Sequence, residues 1–191
     1  MNVCIYGASS DLIDKIYLDR SFELGEKMAK RGHSLVYGGG AQGVMGASAR
    51  GTKSGGGMVI GVSPSFFNVD GVLFEECDEL IYTQTMRERK AIMEEKADAF
   101  VIAPGGIGTY EEFYEILTLK QLARHNKAIV IFNIDGYYNK MIEALKEAED
   151  KNFIRPQTLK LYEVLDEPEK IVDYLEGYVP PVIDIVKTKG V

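Results

Sequence analysis

The chain has 191 residues, 46% of them hydrophobic and 27% charged, which is enough apolar content for one substantial core and too much for a disordered polymer. Its 22 basic and 29 acidic residues leave a formal charge of −7, which argues against nucleic acid or an anionic membrane surface as a partner. No apolar run reaches membrane-spanning length and the N-terminus enters a strand pattern directly, so neither a membrane segment nor a leader is expected. Cys4 and Cys77 are far apart and read as reduced thiols of a cytoplasmic protein. His33 and His125 are isolated, offer no metal-ligand spacing, and read as surface residues near helix ends.

Val3, Cys4, Ile5 and Tyr6 form an apolar run that empties into Gly7-Ala8-Ser9-Ser10. A helical pattern follows through Leu18, Phe22, Leu24, Met28 and Ala29, closed by Gly32. A strand over residues 34–37 runs into Gly38-Gly39-Gly40, and a short helix carries Val44, Met45, Ala47 and Ala49. A third strand covers 58–62, and 65–78 is an irregular loop of the kind that forms lids or substrate loops. Residues 80–83 predict a fourth strand, 84–97 a helix, and 98–103 a fifth strand. A long helix opens near Gly108 with an apolar stripe at Phe113, Ile116, Leu117, Leu119 and Leu122. Residues 128–132 predict a sixth strand, 137–151 a helix in which Tyr137-Tyr138 is a packed start, 161–165 an edge strand, and 168–175 a last helix.

This alternation with short connections predicts an α/β fold: a doubly wound, mostly parallel sheet with helices on both faces. One domain is expected over residues 1–178, with a C-terminal tail over 179–191 that is exposed or docked on a partner. Ligands of such sheets bind beyond the carboxyl ends of the strands, where the winding reverses. Three small-residue exits fall there: Gly7-Ala8-Ser9, Gly38-Gly39-Gly40, and the stretch from Pro104 to Thr109. Together they predict a nucleotide-sized crevice that favours phosphate.

The stretch Pro104-Gly105-Gly106-Ile107-Gly108-Thr109-Tyr110-Glu111-Glu112 joins a strand to a helix. Unpaired N–H groups at a helix start, backed by the positive end of its dipole, attract anions, and glycines let a phosphate reach the backbone. Glu111 and Glu112 then stand within one turn. As plain helix chemistry they stabilise the dipole by roughly half a kcal/mol; next to a bound phosphate they supply a carboxylate for chemistry. Glu111, Glu115 and Thr118 share one helix face. Met86-Arg87-Glu88-Arg89-Lys90 reads either as a solvated charged helix or, because an apolar stretch follows it, as a cation pair held for an anion. A dinucleotide fingerprint and a Gly-Lys-Ser/Thr phosphate loop are both missing from the sequence, so NAD use is not expected.

Tyr37 to Gly40 with Gly43-Val44-Met45-Gly46, then residues 86–90, then Pro104 to Glu112 resemble the cytokinin-activating phosphoribohydrolase family, the "lonely guy" group once labelled lysine decarboxylases. The resemblance spans about residues 3–154 with the motifs in order. It implies a Rossmann-like fold, a homodimer, and hydrolysis of the N-glycosidic bond of nucleoside 5′-monophosphates to free base and ribose 5-phosphate. It also implies that Arg89 and Glu112 are catalytic, and that Arg89, Lys90, Gly106, Ile107, Gly108, Thr109, Glu111, Glu112 and Thr118 line the substrate. Arg87 stands where the family usually has histidine. In the divergent loop 65–78, Glu75 and Glu76 are the candidates for the family's substrate-contacting glutamate. No metal or organic cofactor is expected, since no lysine has a recognisable setting for pyridoxal phosphate. The alternative from another class is a non-catalytic carrier or sensor of a phosphorylated ligand, and a third is an oligomeric scaffold with a vestigial site.

Overall fold

Successive residues of the inner strands face opposite layers of helices, so these strands are apolar on both sides, as parallel sheets require. The computed structural model describes residues 1–183; residues 184–191 of the expected tail lie outside the described residues. In chain order the elements are β1 (Asn2–Tyr6), α1 (Lys15–Lys30), β2 (Ser34–Tyr37), α2 (Gly43–Ser54), β3 (Val59–Pro64), β4 (Glu79–Thr83), α3 (Met86–Lys96), β5 (Ala99–Ile102), α4 (Ile107–Gln121), β6 (Ala128–Phe132), α5 (Asn139–Asp150), β7 (Glu163–Leu165) and α6 (Pro168–Gly177). The seven strands lie in the order β4-β3-β2-β1-β5-β6-β7, and every pairing is parallel. This is the doubly wound α/β architecture expected from the sequence, with its winding reversed between β1 and β5.

Leu24 and Met28 of α1, Val44 and Ala49 of α2, and Ile171 and Val172 of α6 cover Val3, Ile5, Leu35 and Val101 on one face. Met93 of α3, Phe113 and Ile116 of α4, and Met141 of α5 cover Cys4, Tyr6, Ile60 and Phe100 on the other. The α1–α2 contact depends on missing side chains. A Cβ on Gly25 would stand 2.3 Å from the Ser48 carbonyl oxygen, and one on Gly51 only 2.0 Å from that of Phe22. Backbone cannot yield as a side chain does. Gly51→Ala is therefore expected to lower stability by about 1–3 kcal/mol in a denaturant melt; an unchanged midpoint would show that the helices separate freely.

Local structure corrects several expectations. Helix α1 starts at Lys15, and in the segment before it Asp11 Oδ1 accepts the Gly43 N–H at 2.7 Å and ties the β1 exit to α2. His33 is not a surface residue but is 7% exposed, with Nε2 3.0 Å from Glu176 on α6. His125 is half-buried against the Ile116 carbonyl, and burial pushes its pKa down to about 4. After β6 the chain makes a tight turn over Ile134–Gly136, with Asp135 and Gly136 at positive φ, and α5 begins only at Asn139. Among the described residues no helix is long and apolar enough to cross a membrane.

Lys120 is 1% exposed in α4 and donates to the Tyr178 hydroxyl at 2.8 Å, its ammonium also lying over that ring. Burial lowers its pKa to about 8. Between pH 8 and the ordinary lysine value the unfolded chain holds a proton that the folded chain releases, so stability rises with pH across that window. Lys120→Met is expected to be more stable than the native protein at pH 7, by up to about 3 kcal/mol, and to lose this rise. A pH series of melts checks both signs.

Candidate active site

The exits of β1, β2 and β5 are stitched together by main-chain bonds. Ala8 N–H donates to the Pro104 carbonyl at 3.0 Å, and Met45 N–H donates to the Ala8 carbonyl at 3.1 Å. Beside them opens a cavity of about 530 Å³. Gly38 and Gly40 floor it, Ser9, Met45, Ser63 and Arg89 wall it, and Phe67 with residues 70–73 roofs it. The roof is fastened through backbone: Ala41 N–H donates to Val72, Phe74 N–H donates to Gly39, and Gly40 bridges Leu73. Gly39 lies beneath that fastening at φ +79°.

Arg89 is delivered by α3, whose start is fixed by a reciprocal cap. Thr85 Oγ1 accepts the Glu88 N–H while the Glu88 carboxylate accepts the Thr85 N–H. The Arg89 guanidinium carbon stands 3.4 Å from where a Cβ on Gly38 would be, so glycine there leaves the arginine its place. It forms an ion pair with Glu112 Oε1, and both side chains are close to nine-tenths buried. Only three side-chain polar atoms of the described residues are sealed from solvent without a partner, and Arg89 Nε is one of them. Glu112 Oε2 is not one of the three, and among the described residues it has no hydrogen-bond partner. Burial pushes the Glu112 carboxyl up to about 7, against the pull of Arg89. Arg89 is in the cavity wall and Glu112 sits behind its guanidinium.

Helix α4 begins without a side-chain cap. Among the described residues no acceptor meets the N–H groups of Gly106, Ile107, Gly108 and Thr109. A Cβ on Gly106 or Gly108 would meet nothing within 4 Å, so this end of the helix faces open space. Gly105 differs: a Cβ there would lie 2.1 Å from Thr109 Oγ1. Pro104 is buried with Gly105, and both border a second opening of about 270 Å³ walled by Tyr17 and Tyr137. Gly7 packs under Val44 next to Ala103.

Lys90 falls outside the cavity wall. It pairs with Glu111 and, at 2.8 Å, with Glu115, so its charge is spent along the flank of α4. Thr118, on the same face, is exposed. Of the loop acids, Glu75 lines a separate hollow of about 180 Å³, Glu76 lines neither, and Asp70, which sequence reasoning missed, reaches the main cavity. The signal was the Asp70-Gly71 pair: Gly71 turns the chain at φ +77°.

The sequence profile of the family described as "Possible lysine decarboxylase" matches residues 45–175. A probable cytokinin riboside 5′-monophosphate phosphoribohydrolase of Oryza sativa subsp. japonica is 39% identical, covering 93% of this chain and 78% of that protein. The chain belongs to the cytokinin riboside 5′-monophosphate phosphoribohydrolase family. A family member from Arabidopsis thaliana is 33% identical over 96% of this chain and 86% of its own length. Among solved structures, the molybdenum cofactor carrier protein of Chlamydomonas reinhardtii is similar at a TM-score of 0.69 and 22% identity, covering 92% of this chain and 95% of that one. The molybdenum cofactor binding protein of Rippkaea orientalis is similar at 0.69 and 20%, covering 92% and 93%. At that identity the likeness concerns the fold: the phosphoribohydrolase family and the carriers share a scaffold.

Proposed function

We propose that this chain hydrolyses the N-glycosidic bond of a nucleoside 5′-monophosphate, AMP or an N6-modified AMP, to free base and ribose 5-phosphate. The buried ion pair that joins Glu112 to Arg89 in the wall of a glycine-floored cavity, one turn from four unpaired helix-start amides, is the observation that carries it. The amides of Gly106 to Thr109 take the 5′-phosphate, whose charge the helix dipole favours. The sugar then lies toward Arg89, and the base enters the cavity between Gly38–Gly40 and the roof.

As the C1′–N bond breaks, positive charge builds on the ribose ring, and the Glu112 carboxylate stabilises it. Water reaching Oε2 loses a proton to that carboxylate as its oxygen bonds to C1′, and the departing base leaves with the bonding electrons and takes up a proton. Arg89 holds the carboxylate by Oε1, and its guanidinium, which lines the cavity, meets the ribose or the leaving base. Lys90 and Glu111 act at the margin, through charge rather than contact, and Thr118 offers a neutral hydroxyl on the same exposed flank.

The reading carries a cytoplasmic homodimer with a small-molecule substrate, and an acidic chain that has no use for nucleic acid or membrane. Incubation with AMP and with N6-prenylated AMP is expected to release base and ribose 5-phosphate from at least one. Release from neither removes the hydrolase reading; tight AMP binding without product over hours assigns the cavity to a carrier.

A further inference from the structure

We infer that Tyr137 and Tyr138 are positioning residues that aim the phosphate-binding amides of the loop by holding its carbonyls from behind. The inference rests on the reading above and adds residues outside the motif that carries the chemistry.

Three consecutive carbonyls of the loop are each occupied. The Tyr138 hydroxyl donates to the Ala103 carbonyl at 2.8 Å, Ala8 N–H donates to Pro104 at 3.0 Å, and the Tyr137 hydroxyl donates to Gly105 at 2.7 Å. In a trans peptide unit the C=O and the following N–H point in opposite directions, and the plane turns as one piece. Fixing the Gly105 carbonyl toward Tyr137 therefore fixes the Gly106 N–H away from it, on the side where the amides of Ile107, Gly108 and Thr109 are open. Gly106 is the position that most needs this. It lacks a Cβ, nothing in the fold stands against it, and its own conformational freedom would let that plane rotate.

The turn after β6 supplies both hydroxyls from adjacent residues. Asn133 Oδ1 accepts the Tyr138 N–H at 2.8 Å, and the left-handed pair Asp135-Gly136 reverses the chain so that both rings face the loop. The rings brace each other edge to face at 4.9 Å, with Tyr17 against Tyr137 and Tyr110 against Tyr138, both at 5.7 Å. Packing alone would be served by phenylalanine. Each hydroxyl instead ends on a carbonyl of one three-residue stretch.

Tyr137→Phe keeps the ring, and the residue is 38% exposed, so the fold tolerates it. By calorimetry its affinity for ribose 5-phosphate and for AMP is expected to fall about three- to tenfold, the scale of one hydrogen bond, while adenine, which has no phosphate, binds as in the native protein. In turnover the KM for AMP rises by the same factor and kcat stays within about twofold. Tyr138→Phe, buried and holding the Ala103 carbonyl, gives the same phosphate-selective loss; a melt run alongside separates that loss from unfolding. Unchanged ribose 5-phosphate affinity in Tyr137→Phe, an equal loss for adenine, or a native protein that takes up no ribose 5-phosphate overturns the inference. Absence of AMP turnover in the native protein removes the hydrolase reading alone, since the ribose 5-phosphate titration still decides this one.

Discussion

Glu112→Gln is expected to lower kcat/KM for AMP by about 10²–10⁴-fold, because the amide neither takes a proton from water nor carries the charge that steadies the ribosyl cation. The working form is the carboxylate, and burial raises its pKa to about 7. Below that pH the carboxyl is protonated, so the native rate falls tenfold per pH unit on the acid side and levels off above neutrality. The glutamine variant loses this limb along with the activity. Stability runs the other way. Between the ordinary glutamate value and 7 the folded chain holds a proton that the unfolded chain has released, so the Glu112 contribution declines as pH rises through that window. A pH–rate profile of both proteins checks the first claim, and native turnover by Glu112→Gln would refute it.

Arg89→Ala is the second large effect. The guanidinium is the nearest cation to Glu112, and removing it leaves burial unopposed. The carboxyl pKa then climbs beyond 7, and the acid limb of the profile moves in the alkaline direction. At pH 7 the rate is expected to fall by at least about 10²-fold, part from lost carboxylate and part from the lost contact with ribose or base. Raising the pH recovers only the first part. Arg89→Lys keeps a charge but not the planar fork, so its limb is expected between those of the native and alanine proteins. An Arg89→Ala enzyme whose limb stays near 7 would show that the arginine does not set the state of Glu112.

The inner strands and the reversal point were legible because β1, β2, β3 and β5 are apolar runs that end in or run into glycine or proline, and parallel sheets bury both faces of such runs. Gly32 at positive φ closes α1 as the sequence suggested, and the strand predicted over 98–103 is β5 with its exit. Helix starts were less legible. The Asp11 carboxylate serves Gly43, and periodicity carries no trace of a bond 32 residues long. The same reason hid His33: its partner Glu176 is 143 residues away.

At the site, the glycines announced the open, uncapped start of α4 and the Arg89–Lys90 run announced a buried cation. Which of the two cations is spent elsewhere was not readable, because Lys90 is neutralised by Glu111 and Glu115 on a different helix. Glu111 and Glu112 are likewise equivalent in sequence and separated only by the 100° step between helix neighbours. That step turns one toward Arg89 and leaves the other on the flank. Tyr137-Tyr138 read as packing because aromatic residues usually are, and only the hydroxyl partners distinguish them.

The roof over the cavity is attached by main-chain atoms at residues 72–74, and main-chain bonds are indifferent to the side chains they carry. Phe67, Asp70 and Val72 can thus be exchanged without loosening the attachment, while the atoms that break the glycosidic bond belong to other elements. With the base under this roof, as proposed, preference among nucleobases becomes a separately tunable trait: a lineage, or an engineer, can rewrite it along one surface segment and inherit the chemistry intact.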